Sequence, residues 1–185
     1  MSRWQLTRAA HTIFNGGVIA YPTEAVYGLG CDPLNPSAVQ RLLEIKQRPV
    51  GKGLILIASE LSQLRPFIQM PDADTMKRIA ASWPGPITWL MPKQPELPSW
   101  LCGNHERIAV RITAHPLAAA LCDACGHALI STSANISHQQ AARSTLQLQC
   151  RFGDQLDLIL HGRLGGNTRP TEIRDAISNR LVRAG

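Results

Sequence analysis

Ala128-Leu129-Ile130-Ser131-Thr132-Ser133-Ala134-Asn135 is an apolar run that gives way to five small or polar residues. Residues 128–131 read as a buried strand, and residues 132–135 read as the loop beyond its end. In open α/β sheets the ends of strands are where ligands bind, so this stretch sets both a fold class and a place to look for a site. Short hydroxyl and amide side chains approach phosphate or carboxylate oxygens closely. Far upstream, Lys46-Gln47-Arg48 and Lys52 form a dense cationic segment with no acid between Ile45 and Ser59. Lysine supplies a mobile point charge there and arginine a planar fork of donors. Together the two stretches point to an anion site for a nucleotide or a small acid.

Outward from that strand, helix and strand alternate. Leu6, Ala9, Ala10, Ile13 and Phe14 recur at helical spacing over residues 4–15, and Gly16-Gly17 supplies the stop. A strand is expected at 18–21, then the hydroxyl- and glycine-rich loop Pro22-Thr23-Glu24-Ala25-Val26-Tyr27-Gly28-Leu29-Gly30, then a helix over 36–46 with Val39, Leu42 and Leu43 inward. Residues 47–53 are expected to be irregular and 54–58 to form a buried strand. A helix at 72–83 ends at Pro84-Gly85-Pro86, a strand at 87–91 precedes a proline-rich connection through Pro98, and 108–112 forms another strand. Pro116 opens a helix that stops near Gly126, and Ser144 is placed to cap a helix over 145–152. Strands at 156–160, 171–174 and 180–183 close the chain. Their clustering favours a mixed, twisted sheet over a purely parallel one. No repeat, low-complexity tract or linker divides residues 1–185, so one domain is expected.

Composition agrees. At 185 residues, 44% hydrophobic and 17% charged, the chain can bury a substantial core and is not compositionally disordered. A formal charge of +6 suits polyanions, nucleotides and RNA alike, without choosing among them. No apolar stretch approaches the roughly 20 residues of a membrane helix, and Met1-Ser2-Arg3-Trp4 does not begin a signal peptide. A cytoplasmic protein is expected. Five cysteines, Cys31, Cys102, Cys122, Cys125 and Cys150, are odd in number and irregular in spacing, which argues for free thiols. Cys122-Asp123-Ala124-Cys125 has redox spacing but falls late in a helix, where nothing lowers a thiol pKa. No histidine pair completes a zinc site, and no structural metal is expected.

Each candidate has an ordinary counterpart. Lys46, Arg48 and Lys52 equally suit a solvated helix end whose cations complement the macrodipole, and Ser131 to Asn135 equally suits a polar turn. Ser133 lacks the Gly-x-Ser-x-Gly elbow of a serine nucleophile. Gly51-Lys52-Gly53 fits neither a Walker A loop nor the dinucleotide fingerprint. Arg111, inside Ile108-Ala109-Val110-Arg111-Ile112, must either snorkel or meet an anion.

Tyr21-Pro22-Thr23-Glu24, Lys46-x-Arg48-Pro49, Pro84-Gly85-Pro86-x-Thr88, Val110-Arg111 with His115-Pro116, and Ser131-x-Ser133-Ala134-Asn135 succeed one another along the chain. In that order they resemble the YrdC-type threonylcarbamoyl-AMP synthases in their short, single-domain form. Pro170-Thr171-Glu172-Ile173-Arg174-Asp175 looks like the family's closing motif. The resemblance implies a single YrdC-like α/β domain, a twisted open mixed sheet flanked by helices, with a basic concave site. It also implies a nucleotidyltransferase that joins L-threonine, bicarbonate or carbon dioxide, and ATP, releasing pyrophosphate. Its product would pass to a separate tRNA threonylcarbamoyl transferase complex that modifies tRNAs reading codons beginning with A. By the same resemblance Lys46, Arg48 and Lys52 hold phosphates and reacting carboxylates, Lys46 and Arg48 being the catalytic pair, while Ser133 and Asn135 bond the nucleotide. Arg111 pairs with the threonine carboxylate, and Thr23, Tyr27, Ser131 and Thr171 read the amino acid. Mg²⁺ accompanies ATP and is not caged by protein. Two positions depart from the pattern: Ala25 stands where many relatives have threonine, and Glu172 where longer relatives have a hydroxyl. The additional C-terminal domain of longer relatives and its covering linker are expected to be absent.

Two other readings use the same residues. An RNA-binding or RNA-maturation protein would use the concavity as a cradle, drawing on Arg163, Arg169, Arg174, Arg180 and Arg183, although basic and aromatic residues are not interleaved as a stacking platform needs. Weak tRNA or RNA binding is compatible with the enzyme as well. A small-ligand sensor would bind nucleotide without turnover.

Overall fold

The computed structural model describes residues 3–167 and 171–184. In chain order it runs α1 (Arg3–Phe14), β1 (Ile19–Pro22), β2 (Tyr27–Gly30), α2 (Pro36–Lys46), β3 (Ile55–Ala58), α3 (Ala73–Ala80), β4 (Ile87–Pro92), α4 (Ser99–Cys102) and β5 (Arg107–Ile112). It continues through α5 (Pro116–Cys125), β6 (Leu129–Ile130), β7 (Thr132–Ser133), α6 (Thr145–Phe152), β8 (Leu158–Ile159), β9 (Glu172–Asp175) and β10 (Leu181–Arg183). Local chemistry fixes the helix starts. Asn35, Asp72 and Ser144 each accept a first-turn backbone N–H, and Pro36 and Pro116 occupy positions where a missing N–H is harmless. Cys122 and Cys125 sit in the last turn of α5, and burial pushes both thiols up, Cys125 to about 12, so neither is an activated nucleophile.

The open mixed sheet expected from sequence is present in two hydrogen-bonded pieces, one in the order β7-β2-β1-β8 and the other β10-β9-β4-β5-β3-β6. Each mixes parallel and antiparallel neighbours: β1 runs parallel to β8 and antiparallel to β2, while β3 runs parallel to β5 and antiparallel to β6. The pieces are joined where the chain leaves β6, the edge of the larger sheet, and enters β7, the edge of the smaller, through Ser131. Strand residues alternate between two cores. Ile19, Tyr21, Ile57 and Leu129 face α1 and α5, while Val18, Ala20, Leu56 and Ala58 join the larger cluster with α2, α3 and α6. Burial on both faces explains why these strands read as continuous apolar runs, and burying one such Ile or Leu side chain is worth roughly 1.5–3 kcal/mol.

The sequence reading placed residues 22–30 in a loop. Instead Tyr27–Gly30 is a strand, paired antiparallel with β1 from Ile19↔Gly30 to Pro22↔Tyr27. Its two glycines hid it, because glycine weakens strands in general and is kept where backbones approach closely. A Cβ on Gly30 would lie 2.4 Å from the carbonyl oxygen of Ile130 and 2.7 Å from the Tyr21 ring. The joint between the sheets therefore demands glycine at position 30. Just beyond the proline-rich connection lies a short turn of helix, α4, that composition did not signal.

Gly30→Ala should lower unfolding free energy by about 2–3 kcal/mol, the upper range for forced overpacking, because the atom it meets is backbone. Urea denaturation checks this, and an unchanged midpoint would show that the sheets are not so closely joined.

Candidate functional site

The joint opens into a cavity of about 340 Å³. Its walls come from the β1–β2 turn, the start of β3, the middle of β5, the β6–β7 crossing and the chain entering β9. Eight residues marked in the sequence line it: Thr23, Tyr27, Arg48, Arg111, Ser131, Ser133, Asn135 and Thr171. A larger concavity of about 660 Å³ beside α1 and α6 gathers none of them. Chemistry and not volume marks the site.

Hydrogen bonds hold the crossing to both sheets. Ser131 N donates to Ile55 O at 2.8 Å, Ile130 N to Cys31 O at 3.1 Å, and the Tyr21 hydroxyl to Ile130 O at 3.2 Å. Beyond it, the Ser133 hydroxyl donates to Asn135 Oδ1 at 2.5 Å, and Asn135 Nδ2 donates to Ile136 O at 2.8 Å and Gln139 O at 3.0 Å. On the opposite wall Thr23 Oγ1 donates to Val26 O at 2.7 Å and Tyr27 OH to Gly162 O at 2.8 Å. These hydroxyl hydrogens are already used, so toward a ligand the oxygens act as acceptors. Thr171 Oγ1 lies 3.4 Å from that of the buried Thr88, which explains the hydroxyl in the Pro-Gly-Pro-x-Thr motif.

Lys46 and Lys52 lie elsewhere. Lys46 is buried behind the wall, its Nζ donating to the carbonyls of Ser133 and, at 2.9 Å, Asn135, with Asn135 Oδ1 at 3.4 Å. Its own carbonyl accepts from Ser137 N at 2.9 Å and Ser137 Oγ at 3.0 Å. Burial, and then the Arg48 guanidinium, pull the Lys46 ammonium down to about 8. This lysine orders the Ser133–Asn135 loop from behind. Lys52 is exposed and borders an adjoining basin of about 450 Å³ that shares Arg48 and Arg183 with the cavity.

Three arginines line the cavity itself. Arg48 is anchored by Nη2 to Gly53 O at 2.9 Å, and burial, then Arg183, lowers its pKa. Arg183, on β10, donates to Thr171 O at 3.0 Å, and burial, then Arg111, lowers its pKa. Arg111, on β5, is buried; its Nη1 is 3.2 Å from Glu24 Oε2, yet neither Nη1 nor Nε has a hydrogen-bond partner among the described residues. Those two atoms are enclosed, while the side chain as a whole lines the cavity, and a guanidinium fork is matched to a carboxylate or phosphate. Arg183 was read in sequence only as part of a basic tail. Within that tail Arg174 pairs with Glu172 and Arg183 turns into the cavity, while Arg169, like Pro170 of the closing motif, falls outside the described residues. Glu24 was quoted in the Tyr21-Pro22-Thr23-Glu24 motif but given no role, although an acid beside Thr23 in a buried turn was its signal. Among the described residues no group of three or more His, Cys, Asp or Glu side chains comes together to hold a metal.

The Sua5/YciO/YrdC family model, described as "Telomere recombination", matches residues 11–185. A threonylcarbamoyl-AMP synthase from Alkalilimnicola ehrlichii is 52% identical over 185 residues, covering 98% of this chain and 96% of its own. Among solved structures, P. abyssi Sua5 complexed with L-threonine superposes with a TM-score of 0.88 at 30% identity over 95% of this chain, which spans 52% of that longer protein. E. coli YciO superposes at 0.83 with 29% identity, covering 94% of this chain and 84% of its own.

Lys46→Met leaves two carbonyls without their donor and should cost about 1–3 kcal/mol of stability. Between pH 8 and 10 the unfolded chain still holds the Lys46 proton that the folded chain sheds, so wild-type stability should rise relative to Lys46→Met over that window. Paired urea titrations at pH 7.5 and 10 check both statements, and a gap that narrows at pH 10 would contradict the second.

Proposed function

The chain belongs to the Sua5/YciO/YrdC family, and on that premise we propose that it is a threonylcarbamoyl-AMP synthase, making threonylcarbamoyl-AMP and pyrophosphate from L-threonine, bicarbonate or carbon dioxide, and ATP. The observation that carries this reading is the near-full-length identity to relatives bearing that name, 48% for the protein of Nitrosococcus oceani. The chemistry asks for what the cavity holds. The threonine amine adds to carbon dioxide and loses a proton, giving an N-carboxy anion. A carboxy oxygen then attacks the α-phosphorus of ATP, the bond to the bridging oxygen breaks, and pyrophosphate leaves. Two anions must be brought into line, so positioning and charge neutralisation dominate.

In this proposal Arg111 receives the threonine carboxylate, since it lines the cavity and a guanidinium fork matches a carboxylate. Arg48 and Arg183 neutralise the phosphates, with Lys52 at their outer margin, and Ser133 and Asn135 face the nucleotide. Lys46 acts through that loop by fixing its carbonyls. Thr23, Tyr27, Ser131 and Thr171 offer oxygens to the threonine hydroxyl, and a site built to bond a hydroxyl rejects an analogue lacking it by roughly 10⁴-fold or more. Mg²⁺ enters with ATP as part of the substrate. The product's destination is a tRNA threonylcarbamoyl transferase, in keeping with a cytoplasmic protein. Among the described residues no helix is long and apolar enough to cross a membrane. Residues 1–185 act as one YrdC-like domain, a reading supported by the hydrophobic cluster that draws residues from both sheets.

Purified protein with Mg²⁺, ATP and bicarbonate should release pyrophosphate in the presence of L-threonine and far more slowly with L-valine. Arg48→Ala should cut kcat/KM at least 100-fold while changing stability by about 1 kcal/mol or less. ATP binding without threonine-dependent release would replace the synthase with a sensor, and RNA binding without ATP binding would replace it with a cradle.

A further inference from the structure

Glu24 is buried in the β1–β2 turn of the smaller sheet, and Arg111 is buried in β5 of the larger, so their 3.2 Å approach bridges the two sheets at the cavity. Glu24 does not itself line the cavity, but its neighbours Thr23 and Ala25 do. It is held firmly: Oε1 accepts from Thr113 Oγ1 at 2.7 Å, and its carbonyl accepts from Asn167 N at 2.9 Å. Thr113 is fixed in turn, its Oγ1 accepting from His115 N at 3.2 Å. Glu24 Oε2 and Arg111 Nη1 face each other without hydrogen-bond alignment. The acid compensates the guanidinium charge from behind, and Arg111 still lines the cavity on its other side. Without it, the buried Arg111 would face half-buried Arg48 and exposed Arg183 around one cavity, and like charges repel.

We propose that Glu24 is a positioning residue for amino-acid binding: anchored by Thr113, it holds the Arg111 guanidinium from behind so that the side of the fork lining the cavity receives the substrate carboxylate. The proposal rests on the synthase reading for the identity of the amino acid, but it concerns binding and not chemistry. A charged receptor fixed in advance loses little on closing around its ligand, whereas a released arginine must be reordered each time.

The test is L-threonine binding by isothermal titration calorimetry, beside steady-state pyrophosphate release, for wild type, Glu24→Gln and Thr113→Val. Glu24→Gln keeps the shape and the bond from Thr113 but removes the charge. It should weaken L-threonine binding about tenfold and raise the KM for threonine in proportion, with a smaller change in kcat and no change in the KM for ATP. Thr113→Val keeps both charges and frees only the acid, and should raise the threonine KM about threefold, guarding against a Glu24→Gln protein that folds poorly. Exposed Glu96 gives a control, Glu96→Gln, that should match wild type. Unchanged threonine affinity in both variants overturns the proposal, as does a parallel loss for threonine and ATP, which marks general damage to the fold. Wild type that binds threonine without releasing pyrophosphate overturns the synthase reading alone. Wild type that does not bind threonine overturns both.

Discussion

The crossing at Ser131 is the constraint on which the rest of the molecule depends. One short segment is the edge of the larger sheet before Ser131 and the edge of the smaller after it, and it is bonded to both through Ile55, Cys31 and Tyr21. Two sheet edges meeting at a shared segment must either fill the wedge between them or leave it open. At Gly30 it is filled so tightly that a methyl group has no room. A few residues further on it is open, and the cavity occupies that opening. The site is thus a consequence of how the sheets are joined, as ligand sites at sheet switch points generally are.

Such a cavity is lined from several directions by elements far apart in sequence. The β1–β2 turn brings Thr23 and, behind it, Glu24; β5 brings Arg111; the α2 exit brings Arg48; β10 brings Arg183. Three arginines with one buried acid leave local charge uncompensated, and the lowered pKa values of Arg48 and Arg183 record that burial and mutual repulsion. A protein accepts such a cost where a ligand anion relieves it. The buried Glu24–Arg111 pair is also weak evidence for stability in itself, which places its value in binding.

Strands buried on both faces were legible because their apolar runs need no partner to be recognised, and the capped helices were legible from Pro36, Pro116 and Ser144. Tyr27–Gly30 was not, because glycines kept for close backbone approach look locally like a loop. The split into two sheets was equally hidden, since Leu129–Ile130 and Thr132–Ser133 read as one strand and its end. Among the residues that line the cavity, Ser131, Ser133 and Asn135 were marked by type and position, whereas Thr23, Tyr27 and Thr171 were marked only through the family resemblance. Lys46 was found, but its direction was not: whether a lysine at a helix end points into a cleft or back to a carbonyl depends on the loop packed against it. Arg183 was indistinguishable from the other arginines of a basic tail until β10 paired with β9 and set it at the rim of the cavity.

The most direct test of this account is a crystal structure of the protein with L-threonine and a non-hydrolysable ATP analogue. The account predicts the threonine carboxylate on Arg111 between the two sheets, with the phosphates against Arg48 and Arg183. Threonine bound away from Arg111, or nucleotide in the larger concavity beside α1 and α6, would contradict it.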